Sequence, residues 1–366
     1  MPVSFTRLLL LLTLLLAASP GRAQTIDTEA ATAYWKMTDA LRRNEPLTDQ
    51  AWQSFLELPS NKVYVRECFT GADDVTRYRR AMEVVYMPRH DSLLQAKLKA
   101  KSWYYVLLND YKQHEQEYKN FLAEAVAKPA YLEKMYTYAY EYLPARNHTR
   151  VANLKLGYVA LGNDATSQEE GIYYSLYAAR HAALIRPGVL EAHEMHHQLI
   201  SGDKLVSPAL PGDEGLLWLL RMALIEGIAD LTDKKVYVEQ SADSTEIRDW
   251  ALKPAPSTLH KLDSTMQVQA AGGSAAPLKF YRRLTNGSNG HVPGFFMAYT
   301  IYHNGLTKQM LDHANDPFAF ALLYQKAAKK DKSHPPVFSD TSVRYLRQLA
   351  RKYAKPQPAP AATPAK

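Results

Sequence analysis

Cysteine is almost absent from this sequence, because Cys68 is the only one among 366 residues. An internal disulfide needs two thiols, so a crosslinked framework is excluded and we expect Cys68 to be a buried thiol. Clusters of like charge are missing too, since Lys and Arg are scattered without a run of five, although the formal net charge is +7. We therefore expect no binding to nucleic acid.

Long apolar runs are confined to the beginning of the chain. Arg7 precedes an apolar stretch from Leu8 to Ala18, and the small residues Gly21 and Ala23 follow it. This pattern predicts a signal peptide over residues 1–23, and the stretch is too short for a comfortable membrane span. We expect an exported protein, periplasmic or secreted, without stable membrane insertion.

The remaining chain changes character along its length. Apolar residues at intervals of three and four predict a helical N-terminal region over residues 24–145. Alternating patterns within residues 146–305 predict strands of a small twisted sheet, and residues 306–354 again look helical. Residues 355–366 form a Pro/Ala tail that we expect to be disordered. The predicted fold class is α+β, mostly helical. The 24 tyrosines indicate packing more than an aromatic cleft.

The most informative stretch is an apolar helix that carries His193, Glu194 and His197 in the pattern HExxH. In a helix the two histidines lie four residues apart on one face, where both imidazoles can reach one metal ion. Glu194 is placed to take a proton from a water on that metal. His196 points about 100° away on the helix, so we assign it no metal role. The pattern predicts a site for one Zn²⁺ per chain.

A catalytic zinc takes three protein ligands, so one more is required downstream. Glu226 meets this need, because it lies in the apolar stretch 216–230, where a buried carboxylate is costly without a cation. Asp230 is one helical turn further along the same face. We expect it to accept a hydrogen bond from the free ring nitrogen of a ligand histidine.

These motifs, His-Glu-Met-His-His followed by Glu-Gly-Ile-Ala-Asp, resemble those of the gluzincin metallopeptidases. The whole chain resembles secreted bacterial zinc-dependent peptidases of unassigned function. The resemblance implies a zincin-like core over residues 146–305, with His193, His197 and Glu226 as zinc ligands, Glu194 as general base and Asp230 as a supporting carboxylate. The interval between His197 and Glu226 is longer than in the thermolysin-like and aminopeptidase branches. The Gly-x-Met-Glu-Asn strand of the aminopeptidase branch is absent from the sequence.

The same resemblance implies an edge strand that pairs with an extended peptide substrate. The segment Gly171 to Ala179 is the candidate, and Gly171, Tyr173, Tyr174 and Ser175 are the residues expected to contact the substrate. Unpaired amides on such an edge align a peptide without reading its sequence.

A second stretch of interest runs from Asn286 through a glycine-rich turn into a helix predicted to start near Pro293. Hydrolysis of an amide builds negative charge on the carbonyl oxygen, which His or Tyr can stabilise. His291 is the first candidate for this catalytic role, followed by Tyr299 and Tyr302. The alternative that His291 only caps or packs the helix stays open.

The sequence thus predicts a zinc-dependent hydrolase that cleaves peptides or proteins. Three alternatives remain. One is an inactive zinc-binding protein of the same fold that captures peptides. Another is a di-iron helical protein, although no second Glu-x-x-His exists to complete its site. The third is a helical partner-binding scaffold with a chance motif.

Overall fold

The structure, a computed structural model, describes residues 24–200, 209–285 and 287–354. The predicted signal peptide and the Pro/Ala tail lie outside the described residues. Helices dominate and the strands form one small mixed sheet, which confirms the α+β, mostly helical fold class. Within the described ranges, no helix combines the length and the apolar character needed to cross a lipid bilayer.

The chain forms two compact units. The first comprises the described part of Met1–Tyr131 together with Arg150–His181. The second comprises Leu132–Thr149 together with the described part of Ala182–Lys366. The predicted boundaries at 145 and 305 stay a prediction. The strands expected within the 146–305 core belong to the first unit, and the HExxH helix belongs to the second.

A four-stranded sheet lies in the first unit. Its strands are β1 (Thr25–Asp27), β2 (Lys155–Val159), β3 (Ala165–Gln168) and β4 (Gly171–Ser175). Their order in the sheet is β1-β2-β4-β3. The pairs β1/β2 and β2/β4 are parallel, and β3/β4 is antiparallel. Leu156 is in register with Ile172, and Thr166 with Tyr173.

The edge-strand prediction for Gly171 to Ala179 is wrong. β4 pairs with β2 on one side and β3 on the other, so its backbone amides are already engaged. All five residues of β4 are buried, including Gly171, Tyr173, Tyr174 and Ser175, and the chain becomes helical at Leu176. The alternation of apolar residues marked a strand that is buried on both faces, not an exposed edge. We therefore withdraw these four residues as substrate contacts.

Helices and buried tyrosines make up the rest of the first unit. Tyr34, Tyr78, Tyr86, Tyr111 and Tyr118 are almost completely buried, as the packing interpretation of the tyrosines expected. Cys68 is half-buried at the end of a helix, so it is more exposed than predicted. The helices are α1 (Glu29–Arg42), α2 (Asp49–Leu56), α3 (Pro59–Cys68), α4 (Ala72–Tyr86), a 3-10 turn (Pro88–His90), α5 (Asp91–Lys99), α6 (Trp103–Gln113), α7 (Glu115–Asn120) and a π-helical turn (Phe121–Val126).

Two helices, α8 (Pro129–Tyr140) and α9 (Leu176–Ile185), pass from one unit to the other along the chain. A 3-10 turn at Ala145–Asn147 follows α8. The remaining elements belong to the second unit. They are α10 (Val189–Ile200), α11 (Glu214–Asp230), α12 (Lys234–Gln240), α13 (Thr245–Ile247), a π-helical turn (Arg248–Leu252), α14 (Ala255–Ala270), α15 (Leu278–Leu284), α16 (His291–His303), α17 (Thr307–Asp312), α18 (Pro317–Ala328) and α19 (Asp340–Ala354).

The helices α11 and α16 approach each other at the backbone because glycines face each other. A Cβ added at Gly227 would lie 2.3 Å from the carbonyl oxygen of Gly294, and one added at Gly294 would lie 2.4 Å from that of Ala223. Gly290 precedes α16 with φ +101, and a Cβ there would meet Met222 at 2.6 Å. Only glycine allows this approach. It brings the C-terminal half of α11 against the first turn of α16, where His291 lies.

Candidate metal centre

The helix α10 carries the HExxH motif. One turn separates His193 from His197, and their Nε2 atoms lie 3.1 Å apart. His193 is 2% exposed and Glu194 8% exposed. Two imidazole nitrogens directed at each other in a buried place need a proton or a metal ion between them, because two lone pairs repel.

Glu226 on α11 completes a set of three donor atoms. Its Oε2 lies 3.3 Å from His197 Nε2 and 3.8 Å from His193 Nε2. Burial alone would raise the pKa of this carboxyl, but His197, His193 and His291 lower it further than burial raises it, so the net pKa is well below its usual range. The structure therefore brings together the three residues that the sequence predicted to share a metal.

The spacing of these donor atoms suits zinc. Tetrahedral bonds of about 2.0–2.1 Å to nitrogen or oxygen place neighbouring ligand atoms about 3.3–3.4 Å apart. The three observed separations are 3.1, 3.3 and 3.8 Å. Two imidazoles and one carboxylate are also the ligand types of a catalytic zinc site that keeps a fourth position for water. The donor set fits the metal in number, chemistry and distance.

A second carboxylate, Asp233, supports His193, and the sequence analysis missed it. His193 Nδ1 donates a hydrogen bond to Asp233 Oδ1 at 3.0 Å, whereas Asp230 Oδ1 is 3.6 Å away. A carboxylate can only accept, so one proton is on Nδ1 and the ring presents Nε2 to Glu226 and His197. Burial lowers the pKa of His193, but the negative charges of Asp233 and Glu226 raise it more, and the net shift is upward.

The predicted partner of Asp230 therefore needs correction. We expected Asp230 to accept a hydrogen bond from the free ring nitrogen of a ligand histidine. Its two carboxylate oxygens instead lie 3.0 and 3.1 Å from His291 Nδ1, which donates the hydrogen bond. The physical reason is the turn after α11, which carries Asp233 closer to His193 than Asp230 is. An acidic residue at the start of the following helix is the signal that could have identified Asp233.

His291 is the first residue of α16, two positions earlier than the predicted start near Pro293. With Nδ1 held by Asp230, its Nε2 lies 3.4 Å from Glu226 Oε2. The ring is 6.0 Å from that of Trp250, and the side chain is 24% exposed. Burial lowers its pKa, but Asp230 and Glu226 raise it more, so the net pKa is above its usual value.

Lys234 adds the only ammonium group that contacts these carboxylates among the described residues. Its Nζ lies 2.8 Å from Asp233 Oδ2 and 3.2 Å from Asp230 Oδ1. Three carboxylates, those of Glu226, Asp230 and Asp233, thus lie near one ammonium group, and this excess of negative charge raises the pKa of His193 and of His291. A divalent cation would balance that excess, which is a second reason that the site fits zinc.

Tyr299 and Tyr302, the other candidates for stabilising the carbonyl oxygen, contact residues of α12. The hydroxyl of Tyr299 lies 3.5 Å from Glu239 Oε1, and the ring of Tyr302 lies under the ammonium group of Lys235. His196 is fully buried and donates from Nε2 to the carbonyl of Tyr142 at 3.1 Å. Burial lowers the pKa of His196 to about 3, so it is a neutral structural residue.

Comparison with known protein families adds an independent observation. The family model described as "Putative zinc dependent peptidase (DUF5700)" matches residues 52–333. The chain belongs to this family. The match covers most of the sequence. It includes the residues described above around the candidate metal centre, which are His193, Glu194, His197, Glu226, Asp230, Asp233, Lys234 and His291. No curated protein and no solved structure matches the chain. As a member of a family of zinc-dependent peptidases, the protein is assigned to the hydrolases, and its donor set suits the metal in the family's description.

Proposed function

We propose that this protein is a gluzincin-type metallopeptidase in which His193, His197 and Glu226 hold one Zn²⁺ per chain. The observation that carries the proposal is the convergence of two Nε2 atoms and one carboxylate oxygen, from two helices, within 3.1–3.8 Å of one another. This geometry occurs beside the glutamate of an HExxH motif. Four-residue spacing alone can arise by chance, but a third donor from a distant helix at ligand spacing is much harder to obtain that way.

When bound, Zn²⁺ supplies a Lewis acid that polarises a peptide carbonyl and makes water more acidic. The neighbouring residues set the orientation of the proposed ligands, and the ligands themselves set the charge of the site. Asp233 keeps a proton on Nδ1 of His193 and so fixes the orientation of that ring. Glu226 contributes one negative charge, so the three ligands together leave a divalent ion with a net positive charge.

Glu194 is the proposed general base. It neighbours His193 on α10, and its side chain is buried. It accepts a proton from the attacking water and returns it to the nitrogen of the leaving amine. The peptide bond is thereby broken with one water consumed, and Glu194 ends the cycle as it began.

His291 is the proposed stabiliser of the carbonyl oxygen. Asp230 accepts from Nδ1, so the ring is held with Nε2 toward Glu226. A protonated Nε2 donates a hydrogen bond to the oxygen on which negative charge develops. Tyr299 and Tyr302 contact Glu239 and Lys235 instead, which favours His291 over both tyrosines for this role.

We further propose that the substrate is a peptide or protein outside the cytoplasm. The support is the signal-like sequence of residues 1–23, in which a single arginine precedes an apolar stretch and small residues follow. A fusion of residues 1–23 to a reporter that works only after export tests this part. A reporter that stays in the cytoplasm contradicts it.

The test of the activity uses the full chain loaded with zinc and an unbiased peptide library read by mass spectrometry. We expect cleavage by the unmodified protein. Glu194→Gln should keep one zinc per chain and lose about 10²–10⁴-fold in turnover. The matched control is Glu239→Gln, which removes a carboxylate paired with Lys235 on α12.

Two outcomes would contradict the proposal. Full activity of Glu194→Gln would refute the base assignment. A zinc-loaded protein that cleaves no member of the library would refute the peptidase activity and favour an inactive peptide-capture protein.

A further inference from the structure

The turn between α11 and α12 brings three charged residues together. Asp230 is the last residue of α11, Asp233 precedes α12, and Lys234 is the first residue of α12. The side chains of Asp230 and Asp233 are 0% and 1% exposed, and that of Lys234 is 15% exposed. All three are therefore largely removed from water, where unpaired charges would be costly.

Each carboxylate accepts a hydrogen bond from one histidine and lies against the same lysine, and Asp230 Oδ1 also lies 3.6 Å from His193 Nδ1. Asp233 accepts from His193 Nδ1 through Oδ1 and from Lys234 Nζ through Oδ2, at 3.0 and 2.8 Å. Asp230 accepts from His291 Nδ1 at 3.0 Å and lies 3.2 Å from Lys234 Nζ. A continuous path of polar contacts thus runs from one imidazole to the other through a single ammonium group.

The orientation of Asp233 indicates that this arrangement is not simply a helix cap. Asp233 occupies the N-cap position of α12, where an aspartate usually accepts from the backbone amides of the first turn. Here its side chain makes no such capping bond. Its two oxygens instead accept hydrogen bonds from His193 and Lys234, so the side chain is directed at these residues and not at the amides of the helix.

Lys234 places one cation between the two carboxylates. Two buried carboxylates directed at one region repel each other strongly unless a cation lies between them. Without the ammonium group, the two carboxylates would turn away from each other. Such a movement would release the histidine that each of them holds.

We propose that Lys234 is a positioning residue that couples His193 and His291 in the sense that both rings depend on its charge for their orientation, each through its own carboxylate. Asp233 holds His193 for the metal, and Asp230 holds His291 for the substrate oxygen. The different roles given to the two histidines rest on the proposed function, whereas the coupling itself can be measured without substrate.

The principal variant is Lys234→Met, which keeps the length of the side chain and removes its charge. We expect zinc affinity to fall about 10–100-fold, the usual effect of disturbing a residue that supports a ligand histidine. The affinity is measured on the whole protein by competition with a chromophoric chelator. In zinc-loaded protein, the downfield NMR signals of the Nδ1 protons of both His193 and His291 should weaken or move.

The matched control is Lys235→Met. Lys235 is the next residue of the same helix, is also largely buried, and pairs with Glu239 at 3.0 Å. We expect its removal to leave zinc affinity and both histidine signals unchanged. A general effect of losing a buried lysine from α12 would appear in both variants.

Asp233→Asn and Asp230→Asn separate the two branches and remain informative if Lys234→Met does not fold. Asp233→Asn should weaken zinc binding and alter the His193 signal. Asp230→Asn should alter the His291 signal with zinc affinity within about threefold of the unmodified protein. The double variant Asp233→Asn/Lys234→Met should bind zinc no more weakly than Asp233→Asn alone, because the lysine acts through the aspartate.

A structural role alone would give a different result. If Lys234→Met lowers the melting temperature but leaves zinc affinity and both signals unchanged, the proposal is overturned. Equal effects of Asp233→Asn and Asp230→Asn on both histidines would also overturn it. A protein that cleaves no peptide but shows the expected zinc affinities and signals would refute the proposed function and leave the coupling standing.

Discussion

The glycine contact between α11 and α16 predicts that one added methyl group will disturb the metal centre. Gly227 is next to Glu226, and its added Cβ would lie 2.3 Å from the carbonyl oxygen of Gly294. An ordinary contact needs roughly 3.5 Å, so Gly227→Ala must separate the helices by about 1 Å. Glu226 and His291 would move apart with them.

The expected magnitudes follow from this displacement. Alanine gains about 0.5–1 kcal/mol over glycine as a helix former, but overpacking a close backbone contact costs about 1–3 kcal/mol. We expect a net loss in the free energy of unfolding and a lower melting temperature. A shift of about 1 Å at a site of this kind can cost on the order of 10²-fold in turnover, and we also expect weaker zinc binding.

The assay compares calorimetric melting with zinc affinity in two variants of the same helix. Gly215→Ala is the control, because its Cβ would meet the ring of Tyr281 at 2.4 Å, about 16 Å along the axis from Glu226. It should lower the melting temperature and leave zinc affinity unchanged. If Gly227→Ala binds zinc as tightly as the unmodified protein, the reasoning that this contact sets the ligand geometry is refuted.

Three further predictions concern other parts of the molecule. His291→Gln should lower kcat about 10²–10³-fold with zinc affinity almost unchanged; a parallel loss of zinc would contradict its role toward the substrate oxygen. Removing zinc with a chelator should lower the free energy of unfolding by about 2.7 kcal/mol relative to protein in zinc at a hundred times its Kd, and unchanged calorimetric melting would contradict a bound structural or catalytic ion. Burial would raise the pKa of Asp27, but Ser60, the amide of Glu29 and Lys155 lower it more, so this carboxylate stabilises the fold above its unfolded pKa and less as the pH falls. Asp27→Asn should therefore destabilise at pH 7 and much less at pH 3 in denaturant titrations, and an equal loss at both would contradict the ionic explanation.

The candidate metal ligands could be selected from the sequence because their chemistry is visible there. Two histidines at helical spacing and a carboxylate within an apolar stretch are each unusual, and together they indicate a cation site. Asp233 could not be predicted in the same way. Whether it or Asp230 faces His193 depends on the backbone path of the turn between α11 and α12.

The fold class was predictable from periodicity, but the role of individual elements was not. The apolar spacing over residues 91–108 is that of one helix, but the chain forms two, because it turns at Lys101 with φ +51, where no glycine or proline marks the break. β4 is an inner strand because β3 pairs with it on the side away from β2, and β2 in turn pairs with β1 from the beginning of the described chain. Such pairing between distant segments leaves no signal in a local pattern.

The most direct test of the metal centre is a crystal structure of the zinc-loaded protein with anomalous scattering at the zinc edge. We predict one zinc ion per chain, at about 2.0–2.2 Å from Nε2 of His193, Nε2 of His197 and a carboxylate oxygen of Glu226. A zinc ion bound elsewhere, or a Glu226 carboxylate outside coordination distance of an ion held by the two histidines, would contradict it.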